Sequence, residues 1–416
     1  MLGLLLLTAM HGSGVPAALA HDPSAWGGLY RTRDGGATWF LVNEGRFVTA
    51  ALDLVVHPAD PSRLLLATES GLLRSVNGGR DWAVDPSPLL RGAVFALAID
   101  GRGARTMAST GSAILVSDDS PEGTWRAVEV PDGAVPARQL VAGPRPDQIY
   151  VVGWSGLFRS EDWGDTWTAV GADLPGGTVA RLLVLTDGPS ARPRLAALAG
   201  GALWLGDDAG ATWQRRDAGL PSQGIDTIVA DGVVPGRLWA AGADTVFRSE
   251  DGGVSWQPFG SPLDDRHTPI YGIAAAADGR TVLLTTDRGL YRSADGGTTW
   301  ELLADSVPVH LPARPLLRDP HDGATIYAGF SIHPYDALWQ TAAEGTNALQ
   351  RLDSVGLGGA LAFLALLAVA GGLALRWLRR YYGPPPPASA GAHGGLEERR
   401  RLPSPPTTVP LSGAGP

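Results

Sequence analysis

The stretch "RSADGGTTW", residues 292–300, decides how this chain is read. It packs an acid, two glycines, two threonines and a tryptophan into nine positions. Near copies stand at 31–39 ("RTRDGGATW"), 159–167 ("RSEDWGDTW") and 248–256 ("RSEDGGVSW"). Looser copies are "RSVNGGRDW" ending at Trp82, "VSDDSPEGTW" ending at Trp125 and "LGDDAGATW" ending at Trp213. The seven terminal tryptophans are Trp39, Trp82, Trp125, Trp167, Trp213, Trp256 and Trp300, with gaps of 43, 43, 42, 46, 43 and 44 residues. A fixed period of roughly 40–50 residues suits one four-stranded propeller blade per repeat.

The text between the boxes agrees. In "LDLVVHPADPSRLLLATESGLLRSVNGGRDWAV" (52–84), apolar runs at 52–56, 63–68 and 72–75 are separated by His57-Pro58-Ala59-Asp60-Pro61 and by Gly71. A fourth run follows the box. Short strands divided by Gly, Pro and Asp read as a meander, and no amphipathic helix intervenes. The box then falls at the hairpin between third and fourth strands. Its glycines take positive φ at little steric cost. Its acid accepts hydrogen bonds from the N–H groups of its own turn. The acids at this position are Asp34, Asp119, Asp162, Asp208, Asp251 and Asp295, with Asn77 in the remaining copy. The tryptophan starts the outer strand and covers the hairpin with apolar area. A turn used once per blade must be copied seven times, so these residues are expected to be structural.

The 416 residues carry a net charge of −9, and all 33 basic residues are arginine. Non-specific nucleic-acid binding is not expected of such a chain. There is no cysteine, which excludes disulfides, zinc-thiolate sites and thiol nucleophiles. No box carries the later Glu of a calcium loop, and no metal or cofactor is expected. Residues 1–20, with an apolar stretch and "ALA" at 18–20, read as a secretory leader. The run "VGLGGALAFLALLAVAGGLAL" (355–375) has 21 residues and no charge, long enough for a membrane span. Arg376, Arg379 and Arg380 follow it, which places the C-terminus in the cytoplasm. The expected organisation is a leader (1–20), a propeller outside the membrane (21–352), a transmembrane helix with flanks (353–380) and a Pro-rich disordered tail (381–416). The expected site is a bacterial cell membrane, crossed once.

The repeated box resembles the Asp-box or BNR repeat, Ser-x-Asp-x-Gly-x-Thr-Trp, over residues 28–351. That resemblance implies an all-β propeller of four-stranded antiparallel blades, as in the sialidase-like superfamily. The chain opens on a third-and-fourth-strand hairpin (27–42) and ends on first- and second-strand candidates at 314–319 and 324–330. Joined, these halves make a seventh blade and leave no open edge. Residues 337–352 look like a decayed eighth hairpin, which keeps eight blades open. Sialidases, xyloglucan-degrading glycosidases, sortilin-type receptors and photosystem II stability/assembly factors all carry the box. The segment "HDPSAWGGLY" before the first box lacks the sialidase Phe/Tyr-Arg-Ile-Pro motif. Xyloglucan-type glycosidases use paired Asp residues between two propellers, and this chain holds one. Acids such as Asp53, Asp226 and Asp264 are available for a glycosidase, which needs two carboxylates. In architecture the chain is most similar to the photosystem II assembly-factor group. The resulting expectation is a non-catalytic scaffold, not an enzyme, that binds a protein or glycan. The alternative is a glycoside hydrolase of the sialidase-like or xyloglucanase-like type.

The links from each fourth strand to the next first strand lie at the blade end opposite the boxes. Six of the seven carry an arginine near the inner strand: Arg46, Arg91, Arg138, Arg181, Arg266 and Arg314; Asp226 takes that place in the remaining link. Guanidinium groups converging at one mouth of an acidic protein are the candidate partner-binding set.

Overall fold

The computed structural model describes residues 27–118, 124–175, 178–185, 194–207, 209–222, 224–264, 268–276, 278–345, 369–378, 380, 381 and 383. The chain divides into two units, Met1–Thr346 and Asn347–Pro416. In the first, the described residues form seven four-stranded antiparallel sheets. Blade 1 runs Ala51–His57, Asp60–Thr68, Gly71–Ser75 and Ala83–Val84, matching the four runs of the repeat. The inner strands of blades 2 to 6 are Val94–Ile99, Gln139–Ala142, Val179–Leu185, Thr227–Ala230 and Ile270–Ala275.

Blade 7 is built from both ends of the propeller. Its inner pair is Ala313–Arg318 and Ile326–Phe330, and its outer pair is Gly28–Thr32 and Phe40–Leu41. Gly28 pairs with Phe330 and Thr32 with Ile326 in an unbroken antiparallel register. Of the expected eighth hairpin, 337–352, the described part is helical and residues 346–352 lie outside the described residues. Helix α1 spans Tyr335–Ala343, "YDALWQTAA". Tyr335 and Trp339, four apart, are its buried residues. That spacing and the alanine fill suit a 3.6-residue period better than a strand's alternation.

Middle strands such as Leu238–Gly242 and Val282–Thr286 are buried along their whole length. The reason is lateral: each blade lies between two others, so both faces of a middle strand are covered. The buried apolar residues accordingly fall into seven clusters, one at each interface. Leu65, Ala67 and Leu72 of blade 1 pack with Phe95, Leu97 and Leu115 of blade 2. Leu29 and Tyr327 of blade 7 pack with Leu54 and Leu66 of blade 1, across the closure.

The box turns behave as their chemistry requires. Ser249, 1% exposed, donates through Oγ to Asp251 (2.7 Å) and accepts from the Gly253 N–H (2.9 Å). Asp251 in turn accepts from the Val254 and Ser255 N–H groups and the Ser255 hydroxyl. The same pattern repeats at Asp34, Asp162 and Asp295, and Asn77 accepts from the Arg80 and Asp81 N–H groups. The Thr299 N–H, then its hydroxyl and Ser293, pull the Asp295 carboxyl down to about 2. Asp119 and Asp208 lie outside the described residues. The second glycine is needed for approach as well as for φ. Gly36, at φ 97°, would drive a Cβ to 2.7 Å from Leu283 of blade 6. The first glycine is replaceable: Trp163 holds that place at φ 57° and is buried. Trp39, Trp82, Trp125, Trp213 and Trp256 are buried, while Trp167 and Trp300 are partly covered. Trp82 and Trp300 also donate to carbonyls of the preceding repeat, Val42 and Ser261.

In the second unit, residues 369–378 are helical. Among the described residues no helix is long and apolar enough to cross a membrane. Most of the 355–375 run, the leader and nearly all of the tail lie outside the described residues.

Replacing Ser249 with Ala should leave the buried Gly253 N–H without its acceptor, at about 1–3 kcal/mol. A lower denaturant midpoint with an unchanged fold is the expected outcome, and an unchanged midpoint would contradict this role for the box.

Candidate functional site

A meander reverses at every strand, so each inner strand starts at the blade end opposite its box. There the described residues enclose a channel cavity of about 230 Å3. Asp53, Arg138, Arg181, Asp226, Tyr271 and Arg314 line it, one from each of six blades, and Tyr335 of α1 lies over it.

The wall is held by bonds between neighbouring inner strands. Asp53 accepts from the Leu97 N–H of blade 2 (2.8 Å) and from its own neighbour Leu54 (2.9 Å). Gln139 exchanges two bonds with the backbone of Leu182 (2.9 and 3.1 Å). Thr227 donates to the Tyr271 carbonyl (3.1 Å). Burial pushes the Asp53 carboxyl up to about 6, against the pull of the two N–H groups and of Arg181. Burial also raises Asp226, opposed by the Ala243 N–H and by Arg314. Arg181 is lowered to about 10 by burial and by the like charge of Arg314, with Asp53 working the other way. Two carboxyls with raised proton affinity therefore share a cavity with three arginines.

Helix α1 closes part of this mouth. Chain direction puts it there, since it follows the second strand of blade 7 as that strand emerges at the link face. The Tyr335 hydroxyl donates to the Phe95 carbonyl (3.2 Å) or the Arg138 carbonyl (2.9 Å). Trp339 donates to the Pro136 carbonyl (3.2 Å). Asp336 accepts from Arg138 (2.8 Å) and stands 3.7 Å from Arg314. Arg138 stacks over Trp339 at 4.0 Å and Arg314 over Tyr271 at 4.2 Å. Trp154, 37% exposed on a link-face hairpin, leans on Trp339 at 5.0 Å.

Of the proposed arginine ring, the cavity gathers Arg138, Arg181 and Arg314, together with Asp226. Arg46 is elsewhere: its Nε donates to the Trp82 carbonyl (2.8 Å), because it stands well before its strand begins at Ala51. Arg91 follows a 3-10 turn at Pro88–Leu90 and is exposed outside the cavity. Arg266 lies outside the described residues. Asp264 is exposed and lines no wall of the cavity. Tyr271, Tyr335, Asp336 and Trp339 are absent from the sequence-based set. Of these, Trp339 falls in the segment expected as a decayed hairpin (337–352), while Tyr335 and Asp336 precede it; the i, i+4 spacing of Tyr335 and Trp339 is the signal that could have found the helix. Among the described residues no group of three or more His, Asp or Glu is placed to hold a metal.

Comparison with known proteins places this architecture. No family model matches the chain. A xyloglucanase from Paenibacillus sp is 29% identical over 213 residues, 46% of this chain and 18% of that protein. A probable oligoxyloglucan-reducing end-specific xyloglucanase from Neosartorya fischeri is 25% identical over 207 residues, 47% of this chain and 24% of that protein. The chain thus spans less than a quarter of these curated relatives. Among solved structures, YCF48 from Cyanidioschyzon merolae superposes with a TM-score of 0.54 at 16% identity, covering 71% of this chain and 99% of that one. The GH74 xyloglucanase from Xanthomonas campestris gives 0.51 at 21% identity, covering 71% and 55%.

The chain is a seven-bladed β-propeller. Its solved neighbours include YCF48 and a GH74 xyloglucanase, which share the propeller fold. The expectation that the protein is not an enzyme does not stand. Its curated relatives are named xyloglucanases, and a GH74 enzyme shares its fold. The box could not inform on activity, since it lies at the opposite blade end from the raised carboxyls. Those come from blades 1 and 5 and share no motif.

Trp339→Ala removes a side chain that is 5% exposed, with its Pro136 bond and its Arg138 stack. Burial of this kind stabilises by about 3–5 kcal/mol. Hydrogen exchange should show faster exchange across α1 with the blade strands still protected; protection of α1 equal to the parent's would contradict its docking through Trp339.

Proposed function

We propose that the mouth is a carbohydrate site and that the chain is a glycoside hydrolase of the xyloglucanase-like type. The observation that carries this reading is Asp53, whose carboxyl is pushed up to about 6 in the same cavity as the raised carboxyl of Asp226. Glycosidic cleavage uses one carboxyl that keeps its proton to donate and one that is ionised. Asp53, deeper and latched to blade 2, is the acid. Asp226, exposed at the rim, is the ionised partner. Tyr271 and Trp154 offer aromatic faces on which a sugar ring can rest. The names of the curated relatives support xyloglucan as the substrate class.

Activity on xyloglucan oligosaccharides should follow a bell. It falls as pH rises through about 6, where Asp53 loses its proton, and on the acid side as Asp226 gains one. Asp226→Asn should lower kcat by about 10²–10⁴ with unchanged melting. Asp53→Asn should lower kcat and also melting, because an amide keeps one acceptor oxygen for the two N–H groups it latches. No hydrolysis by the full chain on these substrates, measured by released reducing ends, would overturn the reading.

A second reading for the partner is favoured by one observation: Arg138 and Arg314 hold the carboxylate of a peptide segment, Asp336. An acidic protein segment suits the same face. For the anchor, the uncharged run 355–375 and the arginines after it support a single span in a bacterial cell membrane, with the propeller outside and the tail inside. Protease added to intact cells should release the propeller and spare an epitope tag placed after Pro416. Loss of the tag under that treatment would reverse the orientation.

A further inference from the structure

The inner strands are irregular where they meet the channel. Their registers break between Ala51 and Asp53, Val94 and Ala96, Val179 and Arg181, and Ile270 and Gly272. Such a bulge inserts one extra residue, bends its strand and re-aims the side chains beside it. In blade 1 the side chain just after the bulge is Asp53. In blade 2 the extra residue is Phe95, which has no partner in the ladder. Tyr335 of α1 takes it up. Its ring meets the Phe95 ring edge-on, with centroids 6.1 Å apart at 88°. Its hydroxyl stands 3.2 Å from the Phe95 carbonyl and 2.9 Å from that of Arg138. One side chain thus ties the bulge of blade 2 to blade 3.

The same strand holds Asp53. Leu97, two residues after Phe95, donates its N–H to the Asp53 Oδ2 (2.8 Å). The phenol of α1 and the carboxyl of blade 1 are therefore bound to neighbouring backbone groups of one strand. They also lie in each other's field, since burial first and then Asp53 raise the Tyr335 phenol. Asp53 is half-buried, and both residues line the cavity. Around the pair stand Arg138, Arg181, Asp226, Tyr271 and Arg314 of blades 3 to 7 and Asp336 of α1. Blade 2 faces them with Phe95 and Leu97, which carry no charge. Arg181 pulls the Asp53 carboxyl down, against its burial.

We propose that Tyr335 is a positioning residue for Asp53: it fixes the bulged edge that latches the carboxyl, and its ring keeps bulk water from it. The role rests on the reading of Asp53 as the acid of a hydrolase. Tyr335 needs no contact with substrate, because its hydroxyl is committed to backbone carbonyls and its ring to Phe95. A carboxyl shielded from bulk water keeps its proton to higher pH. Docking of α1 then sets the upper pH at which this acid can still donate. Loss of the ring admits water and favours the ionised form beside Arg181.

The test follows the Asp53 carboxyl directly, by NMR on the full chain carrying isotope-labelled aspartate, with Asp53→Asn to assign its signal. In the parent that signal should titrate at about 6. Tyr335→Ala should move the midpoint down toward the ordinary aspartate value of about 4. Tyr335→Phe keeps the ring and should hold the midpoint near the parent's, while the Leu97 amide exchanges faster because the edge has lost its hydroxyl. At pH about 6, Tyr335→Ala should lower kcat on xyloglucan oligosaccharides by about tenfold or more, with KM little changed. Tyr335→Phe should recover most of that loss. Trp339→Ala releases α1 at its second anchor and should shift Asp53 in the same direction, which preserves the test if Tyr335→Ala fails to fold. An ordinary midpoint for Asp53 in the parent, or a midpoint that neither Tyr335→Ala nor Trp339→Ala moves, would overturn the proposal. Absence of hydrolysis by the parent would overturn the hydrolase reading alone, since the Asp53 midpoint is read without turnover.

Discussion

Closure of the ring is the constraint on which the rest of this structure depends. The strand Gly28–Thr32 pairs along its whole length with Ile326–Phe330, residues nearly three hundred positions away. Only when that blade is complete does each sheet have a neighbour on both sides. The seven apolar clusters, each shared between two blades, then form a circle with no exposed end. An open ring would bare one cluster and the edges of Gly28–Thr32 and Ile326–Phe330, both costly in water.

The channel is a product of the same closure. Its wall residues come from all seven blades, and their side chains approach only because the inner strands converge. Low dielectric then does to charge what it does in any enclosed site. It raises Asp53 and Asp226 and lowers Arg181. The bonds from Asp53 to Leu97, Gln139 to Leu182 and Thr227 to Tyr271 fix the wall from which these groups project. Helix α1 adds a cover that arrives from blade 7 and docks on blades 2 and 3 through Tyr335 and Trp339. A cavity lined by both charge signs, flanked by aromatic rings and partly covered is suited to a polar ligand of modest size.

The box face and the link face divide the labour. At the boxes, acids are ionised and saturated by their own turns, so they are poor at proton transfer and good at holding a hairpin. At the mouth, burial raises Asp53 and Asp226, and the arginines meet acids from other blades and from α1. The number of boxes says how many blades there are, and the box residues say nothing about what the mouth does. This is why the resemblance to Asp-box proteins gave the architecture and misdirected the reading of activity.

Sequence by itself determined the period, the four strands per repeat, the structural role of Asp34, Asn77, Asp162, Asp251 and Asp295, and the joining of both ends into one blade. These are local matters: hairpin chemistry and strand length are written within a few residues of each other, and seven copies repeat the message. It also located the mouth, through Arg138, Arg181, Asp226 and Arg314, because strand direction follows from the meander. Tertiary structure alone decided that Arg46 leaves for the Trp82 carbonyl, that Arg91 stays outside, that 335–343 is a helix over the channel, and that Asp53 is bonded to the Leu97 N–H of blade 2. Each of those depends on what a neighbouring blade presents, and residues forty to two hundred positions apart carry no local signal of meeting. A carboxyl's proton affinity belongs to the enclosure around it, and the enclosure exists only once the ring is closed.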